Sequence, residues 1–400
     1  MSNTPSNIST DLRGLGKLTI AAVTGITDIV ESLHQTIISC SWILSPSRKH
    51  RTRGITGMAY RNIHTVTELV GGSIDAVLKS GSAMIGERDS SPRREALIAA
   101  LNGVLGDYLA ETKNPLAVPM QVRSNGKPLK DEDFLEAVEQ TDGRLLFLVH
   151  GLCMNDLQWK RMGHDHGAAL AGELGLTPVY VHYNTGLHIS ENGRQLSDLL
   201  ETLTQKARRP LTLFILAHSM GGLVSRSACH CGKTAGHTWM NHLQKLIFLG
   251  APHHGALLEK SGNWLTLFLE ISPYSAPFSR LGKIRSCGIT DLRYGNVAAD
   301  DWQGRDRFGF SGDRRVPVPL PEGVQCYAIA ATQGKASGKL NDDLVGDGFV
   351  TVSSAMGHHK NPERRLLIPE PHKWIGRHMA HMDLLNHPEV YEVIKEWVKE

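Results

Sequence analysis

Leu211-Thr212-Leu213-Phe214-Ile215-Leu216-Ala217-His218-Ser219-Met220-Gly221-Gly222 runs from an almost unbroken apolar hexamer into a cluster of small residues around one serine. The hexamer has the length and content of a strand covered on both faces. The helical spacing of Leu223 to Cys229 follows at once. The order is therefore strand, tight turn, helix. A serine on such a turn takes a strained backbone conformation that only small neighbours two positions away permit, here Ala217 and Gly221. Its hydroxyl then projects at the amino end of the helix, where backbone N–H groups and the helix dipole stabilise a developing oxyanion.

Working outward, four further short apolar runs read as buried strands: Leu145 to Val149, Pro178 to His182, Lys245 to Leu249, and Gln325 to Ile329. Helical stretches such as Ser190 to Ala207 separate most of them. Alternation of this kind predicts an α/β architecture, a mostly parallel sheet flanked by helices. Ligands of such sheets bind at the carboxyl ends of the strands, so the chemistry is sought just after each run.

Composition narrows the function. The chain has 400 residues, 41% hydrophobic and 21% charged, which excludes collagen-like and wholly disordered readings. Lys and Arg number 43 against 40 Asp and Glu, too even a balance for a protein that coats nucleic acid. Six cysteines with no zinc-ligand spacing predict reduced thiols rather than a disulfide framework. Met1 to Thr10 are polar and lack the cationic start and apolar run of a secretory signal, and no apolar stretch reaches membrane-spanning length. A cytoplasmic location is expected.

With its flanking strand and helix, Ala217-His218-Ser219-Met220-Gly221-Gly222 resembles the nucleophile motif of the α/β-hydrolase family, specifically its lipase- and esterase-like members, where it often reads Gly-His-Ser-Met-Gly-Gly. Ala217 stands in place of the first glycine, a change of one methyl group. The resemblance covers residues 145 to the C-terminus, looks nearest to bacterial lipases and the GPI inositol-deacylase-like group, and does not reach the N-terminal third. It implies an α/β-hydrolase domain over 113–400, with a cap inserted at about 256–323. It also implies that His150-Gly151-Leu152-Cys153, after the Leu145 strand, is the oxyanion loop, with the backbone N–H groups of Leu152 and Met220 as donors. Cys153 lacks a local helix start or base and is a weak candidate nucleophile.

Serine needs an imidazole to take its proton, and the imidazole needs a carboxylate to fix its tautomer. In this family the chain order is Ser, acid, His. Among 20 histidines, His381 precedes a closing helix, Glu389 to Val398, in a segment similar to the family's His-x-Asp-Leu-Leu; His378 is the rival, and His387 reads as the start of that helix. Gly346-Asp347-Gly348-Phe349-Val350 resembles the family's Asp-Gly-x-Val segment and makes Asp347 the acid, with Asp342 and Asp343 close by in sequence. His253 and His254 match a family turn that shapes the cleft wall. Cys229-His230-Cys231 lies on a helix, where neighbours diverge by about 100° and cannot share a metal. No metal and no cofactor are expected.

Within the insertion, Trp264, Leu265, Leu267, Phe268, Leu269, Ile271 and Tyr274 form a dense apolar segment. Trp264 and Phe268 are candidate substrate-binding residues, since a buried acyl chain gains roughly 0.8 kcal/mol per methylene; the alternative is a helix packed on the sheet. Residues 1–112 have a different grammar. Leu15 to Ile37 and Ile55 to Val77 each carry an apolar stripe at steps of three and four, joined by the basic connector Ser45 to Arg53, and a third helix is predicted from Glu95 to about Ala110. Such helices either bury their stripes internally or contact an anionic membrane surface peripherally. The expected activity is serine hydrolysis of carboxylic, lipid-like or acyl esters through an acyl-enzyme. Acyl transfer or thioester cleavage on the same triad, and a non-catalytic membrane-associated protein, are the alternatives.

Overall fold

The computed structural model describes residues 13, 14, 17, 92–207, 209–256, 285–307, 312–334 and 346–400. The chain divides into two compact units, Met1–Ser91 with Glu111–Leu116 and Pro92–Ala110 with Ala117–Glu400. The apolar series of Leu15 to Ile37 and Ile55 to Val77, the basic connector, Trp264, Phe268, Asp342 and Asp343 all lie outside the described residues.

The second unit is built on an eight-stranded sheet: β1 (Gln121–Ser124), β2 (Lys127–Pro128), β3 (Arg144–Val149), β4 (Thr177–His182), β5 (Thr212–His218), β6 (Leu243–Leu249), β7 (Gln325–Thr332) and β8 (Lys373–Arg377). Their order in space is β2-β1-β4-β3-β5-β6-β7-β8. Strand β1 runs antiparallel to both its neighbours, and every later pairing is parallel. This is the mostly parallel sheet that the alternation of apolar runs and helices predicts.

All five apolar runs form the central strands, and the period of two decides which side each residue serves. Leu145, Phe147, Val149, Leu213, Ile215, Ala217, Leu246 and Phe248 enter one core. Leu146, Leu148, Phe214, Leu216, Ile247 and Leu249 enter the other. Helices seal both faces because neither tolerates water. Helices α1 (Pro92–Glu111), α2 (Asp131–Gln140), α4 (Ile189–Lys206) and α5 (Met220–Ala235) contribute Val104, Phe134, Leu196, Leu200, Leu223 and Val224 to the first core. Leu170 of α3 (His166–Leu174) joins the second, as do Val390, Ile394 and Val398 of the closing helix Pro388–Lys399. Each buried leucine stabilises the fold by about 2 kcal/mol.

Two elements escape the apolar pattern. The β1–β2 hairpin turns at Asn125 and Gly126, both with positive φ (50° and 77°), a turn for which Asn-Gly is the usual pair. Strand β8, Lys-Trp-Ile-Gly-Arg, pairs only with β7 and is half-exposed, so it never needed an apolar run. Conversely, Leu366 to Ile368 is apolar yet irregular: Leu366 and Ile368 are buried while Leu367 points outward.

Candidate active site

Strand β5 delivers Ser219 at its carboxyl end, where the backbone takes φ 54° and ψ −123°. An L-residue with a β-carbon pays for that conformation unless its surroundings impose it. They do so here. The Ser219 N–H donates to Leu249 O at 2.8 Å, and a β-carbon on Gly221 would sit 2.3 Å from Val149 O, so the start of α5 is pressed against the end of β3. Residues 213–218 and 220–229 are buried on either side, yet Ser219 itself is half-exposed. The elbow thus raises one hydroxyl out of the core, and Oγ has no hydrogen-bond partner among the described residues.

The loop after β3 touches the elbow. A methyl group on Gly151 would lie 3.1 Å from Ser219 Cβ. Leu152 and Met220 are both buried, and among the described residues neither backbone N–H has a hydrogen-bond partner. Buried orphan N–H groups are rare. Tyr183, after β4, braces the loop: its hydroxyl donates to His150 O at 2.7 Å and its ring stacks on the His150 imidazole at 4.4 Å.

His381 opens a short 3₁₀ turn, His381–Leu385, and is 3% exposed. Its Nδ1 lies 2.6 Å from Asp347 Oδ2, and its backbone N–H donates to Asp347 O at 3.1 Å. The other carboxylate oxygen of Asp347 accepts the N–H groups of Phe349 (2.9 Å) and Val350 (2.8 Å). Gly346 and Gly348, at φ 50° and 99°, make that tight turn possible. The carboxylate is therefore held rigidly, with one oxygen reserved for the imidazole. Nδ1 carries the hydrogen in that contact and leaves Nε2 as the basic nitrogen. The rival His378 is exposed and makes no such contact, His372 stacks on Tyr327, and His387 Nδ1 accepts the Glu389 N–H as the cap of the closing helix.

Two residues that the motif reading passed over hold His381 near the elbow. The His218 ring is 4.8 Å from the His381 ring, with Nε2 3.4 Å from His381 O. Burial holds the His218 imidazole well below its usual pKa, so it stays neutral. Gly250 leaves room beside the imidazole: a β-carbon there would meet His381 Cε1 at 3.0 Å. The signal for His218 was available, since it directly precedes the serine; Gly250 had none beyond following a strand.

Other candidates have different surroundings. Cys153 is fully buried, and burial pushes its thiol well above the ordinary range, away from the reactive thiolate. His253 is buried edge-on against Phe248, and the His254 backbone N–H donates to Ser354 Oγ. Among the described residues no group of three or more His, Cys, Asp or Glu is placed to hold a metal ion, and no helix is long and apolar enough to cross a membrane.

A family model described as a domain of unknown function (DUF7379) matches residues 117–275. No curated protein matches the chain. Among solved structures, the mature form of a Bacillus licheniformis lipase is similar at 18% identity, covering 64% of this chain and 92% of that one with a TM-score of 0.41. Lipase B of Aspergillus fumigatus is 9% identical over 72% of this chain and 57% of its own, with a TM-score of 0.42. A metagenomic carboxyl esterase is 14% identical over 80% and 98%, with a TM-score of 0.39.

Proposed function

We propose that the chain is a serine hydrolase of carboxylic esters, with Ser219 as nucleophile, His381 as general base and Asp347 as its orienting acid. The observation that carries this reading is the buried His381–Asp347 pair at 2.6 Å, located at the sheet end where the strained elbow exposes Ser219. Ser219 Oγ attacks the ester carbonyl while His381 Nε2 takes its proton. The resulting oxyanion is received by the free N–H groups of Leu152 and Met220. Each such donor supplies about 3 kcal/mol of transition-state stabilisation. The tetrahedral intermediate collapses as His381 protonates the departing alcohol, and water, deprotonated by the same imidazole, releases the acid from the acyl-enzyme. Ser219 and His381 share no hydrogen bond in the free protein, and such bonds tighten when substrate closes the site.

The apolar residues of the insertion, with Trp264 and Phe268 foremost, suit an acyl or lipid-like ester. The test is intact-mass analysis after a serine-directed fluorophosphonate. One adduct mapped to the Ser219 peptide, absent in Ser219→Ala together with turnover of short p-nitrophenyl esters, is the expected result. Undiminished hydrolysis by that variant would overturn the assignment.

A further inference from the structure

Beyond the elbow, the described part of the insertion borders an open cavity of about 50 Å³, lined by five arginines, Arg293, Arg305, Arg307, Arg314 and Arg315, around Trp302 and His188. It lies at the carboxyl-end side of the sheet, since His188 follows β4 and Arg315 donates to the carbonyl of His253, which follows β6 (2.9 Å). The rings of His188 and Trp302 stack at 3.7 Å and 5°, and Trp302 Nε1 donates to Ser190 Oγ at 2.9 Å, so that wall is rigid.

The lining itself carries five guanidinium groups against three carboxylates. Asp291 is occupied by neutral donors, the backbone of Ile189 and the Asn296 amide, together with His188 Nδ1. Asp301 accepts the N–H groups of Val297, Ala298 and Val316. Asp306 balances at most one guanidinium. Arg307 is paired with Asp107, and Arg315 with Asp313. Among the described residues, Arg305 is exposed and bonds two carbonyl oxygens, those of Asp301 and Arg314, while the exposed Arg314 guanidinium has no partner. Behind them Arg226, which shares His253 with Arg315, is buried, and its partners among the described residues are Val318 O (2.7 Å) and His253 Nδ1 (3.5 Å). Its charge adds to the positive field at the cavity.

We propose that this cavity binds the phosphate group of a ligand. One carboxylate is satisfied by a single bidentate arginine, whereas a tetrahedral phosphate has oxygens in several directions and draws guanidinium groups from several sides. Two separate stretches supply them here, at 305–307 and 314–315. The phosphate belongs either to a soluble phosphate ester or to a lipid headgroup, and this site is independent of the chemistry at Ser219.

The full-length protein is titrated calorimetrically, in phosphate-free buffer at constant ionic strength, with inorganic phosphate and with glycerol 3-phosphate. In parallel it is sedimented with phosphatidylcholine vesicles with and without phosphatidic acid. Saturable phosphate binding, weakened about tenfold in Arg314→Gln and further in the Arg305→Gln/Arg314→Gln double variant, is expected. Arg314 has no side-chain partner to lose, so the single variant keeps its fold and its unfolding temperature verifies this. Retention on phosphatidic acid vesicles that the variants lose assigns the lipid headgroup; binding of the soluble phosphates alone assigns the soluble ester. Absence of saturable binding to every probe, or affinities unchanged in both variants, would overturn the proposal.

Discussion

His381 Nδ1 and Asp347 Oδ2 stand 2.6 Å apart although 34 residues separate them in the chain, and the carboxylate that makes this contact is itself pinned by two backbone N–H groups. The arrangement locks one imidazole tautomer. Asp347→Asn is therefore expected to preserve the turn, because its side-chain oxygen still accepts from Phe349 and Val350, while the amide faces Nδ1 and favours the wrong tautomer. Ester turnover should fall by about 10⁴-fold with little change in unfolding temperature. Near wild-type rates would separate Asp347 from the proposed chemistry.

Gly250 has φ 59°, and a β-carbon there would approach His381 Cε1 at 3.0 Å and Leu384 Cδ1 at 2.8 Å. Gly250→Ala is expected to cost roughly 1–2 kcal/mol of stability for the left-handed backbone. It should also slow turnover and fluorophosphonate labelling in parallel, since the displaced imidazole serves both. A variant that loses stability but labels at the normal rate would show that Gly250 does not position the base.

Cys153 provides a negative control beside the oxyanion loop. Its thiol is buried and held protonated. Cys153→Ala should keep its esterase activity and its fluorophosphonate adduct while losing about 1 kcal/mol of stability through the small void it leaves. Loss of the adduct in this variant would reassign the nucleophile.

Acid should destabilise the fold through its buried imidazoles. Burial lowers the pKa of both His150 and His166 to about 4. Above about pH 6.5 neither the folded nor the unfolded chain protonates these rings, so their stability contribution is intact. Between about 6.5 and 4 the unfolded chain binds protons that the folded chain refuses, and stability falls as pH falls, by up to about 3 kcal/mol for each ring. Urea midpoints measured from pH 7.5 to 4.5 should decline steadily below 6.5. A flat profile would mean that these rings take up protons within the native state.

Much of the fold was legible because its signals are local. The elbow needs a strand, small residues and a helix within about twenty positions, and five central strands must be apolar throughout because helices cover both faces. Edge elements are under no such demand: β8 is a mixed pentapeptide, and the β1–β2 hairpin carries a turn pair, Asn125-Gly126, but no apolar run. His381 stood out from His378 only by likeness to a motif, whereas burial distinguishes the two rings at once.

Local order along the chain was thus enough to settle the alternation of strands and helices and the place of the strained serine. Folding alone decided which distant groups meet. The Asp347 carboxylate finds an imidazole because two loops leave the same end of the sheet. Arginines that look like ordinary solvated charges in the sequence converge because Trp302 and Arg315 lie against His188 and His253, which follow β4 and β6. Periodicity records which side of an element avoids water; it carries no information about which side chains from separate loops share a cavity.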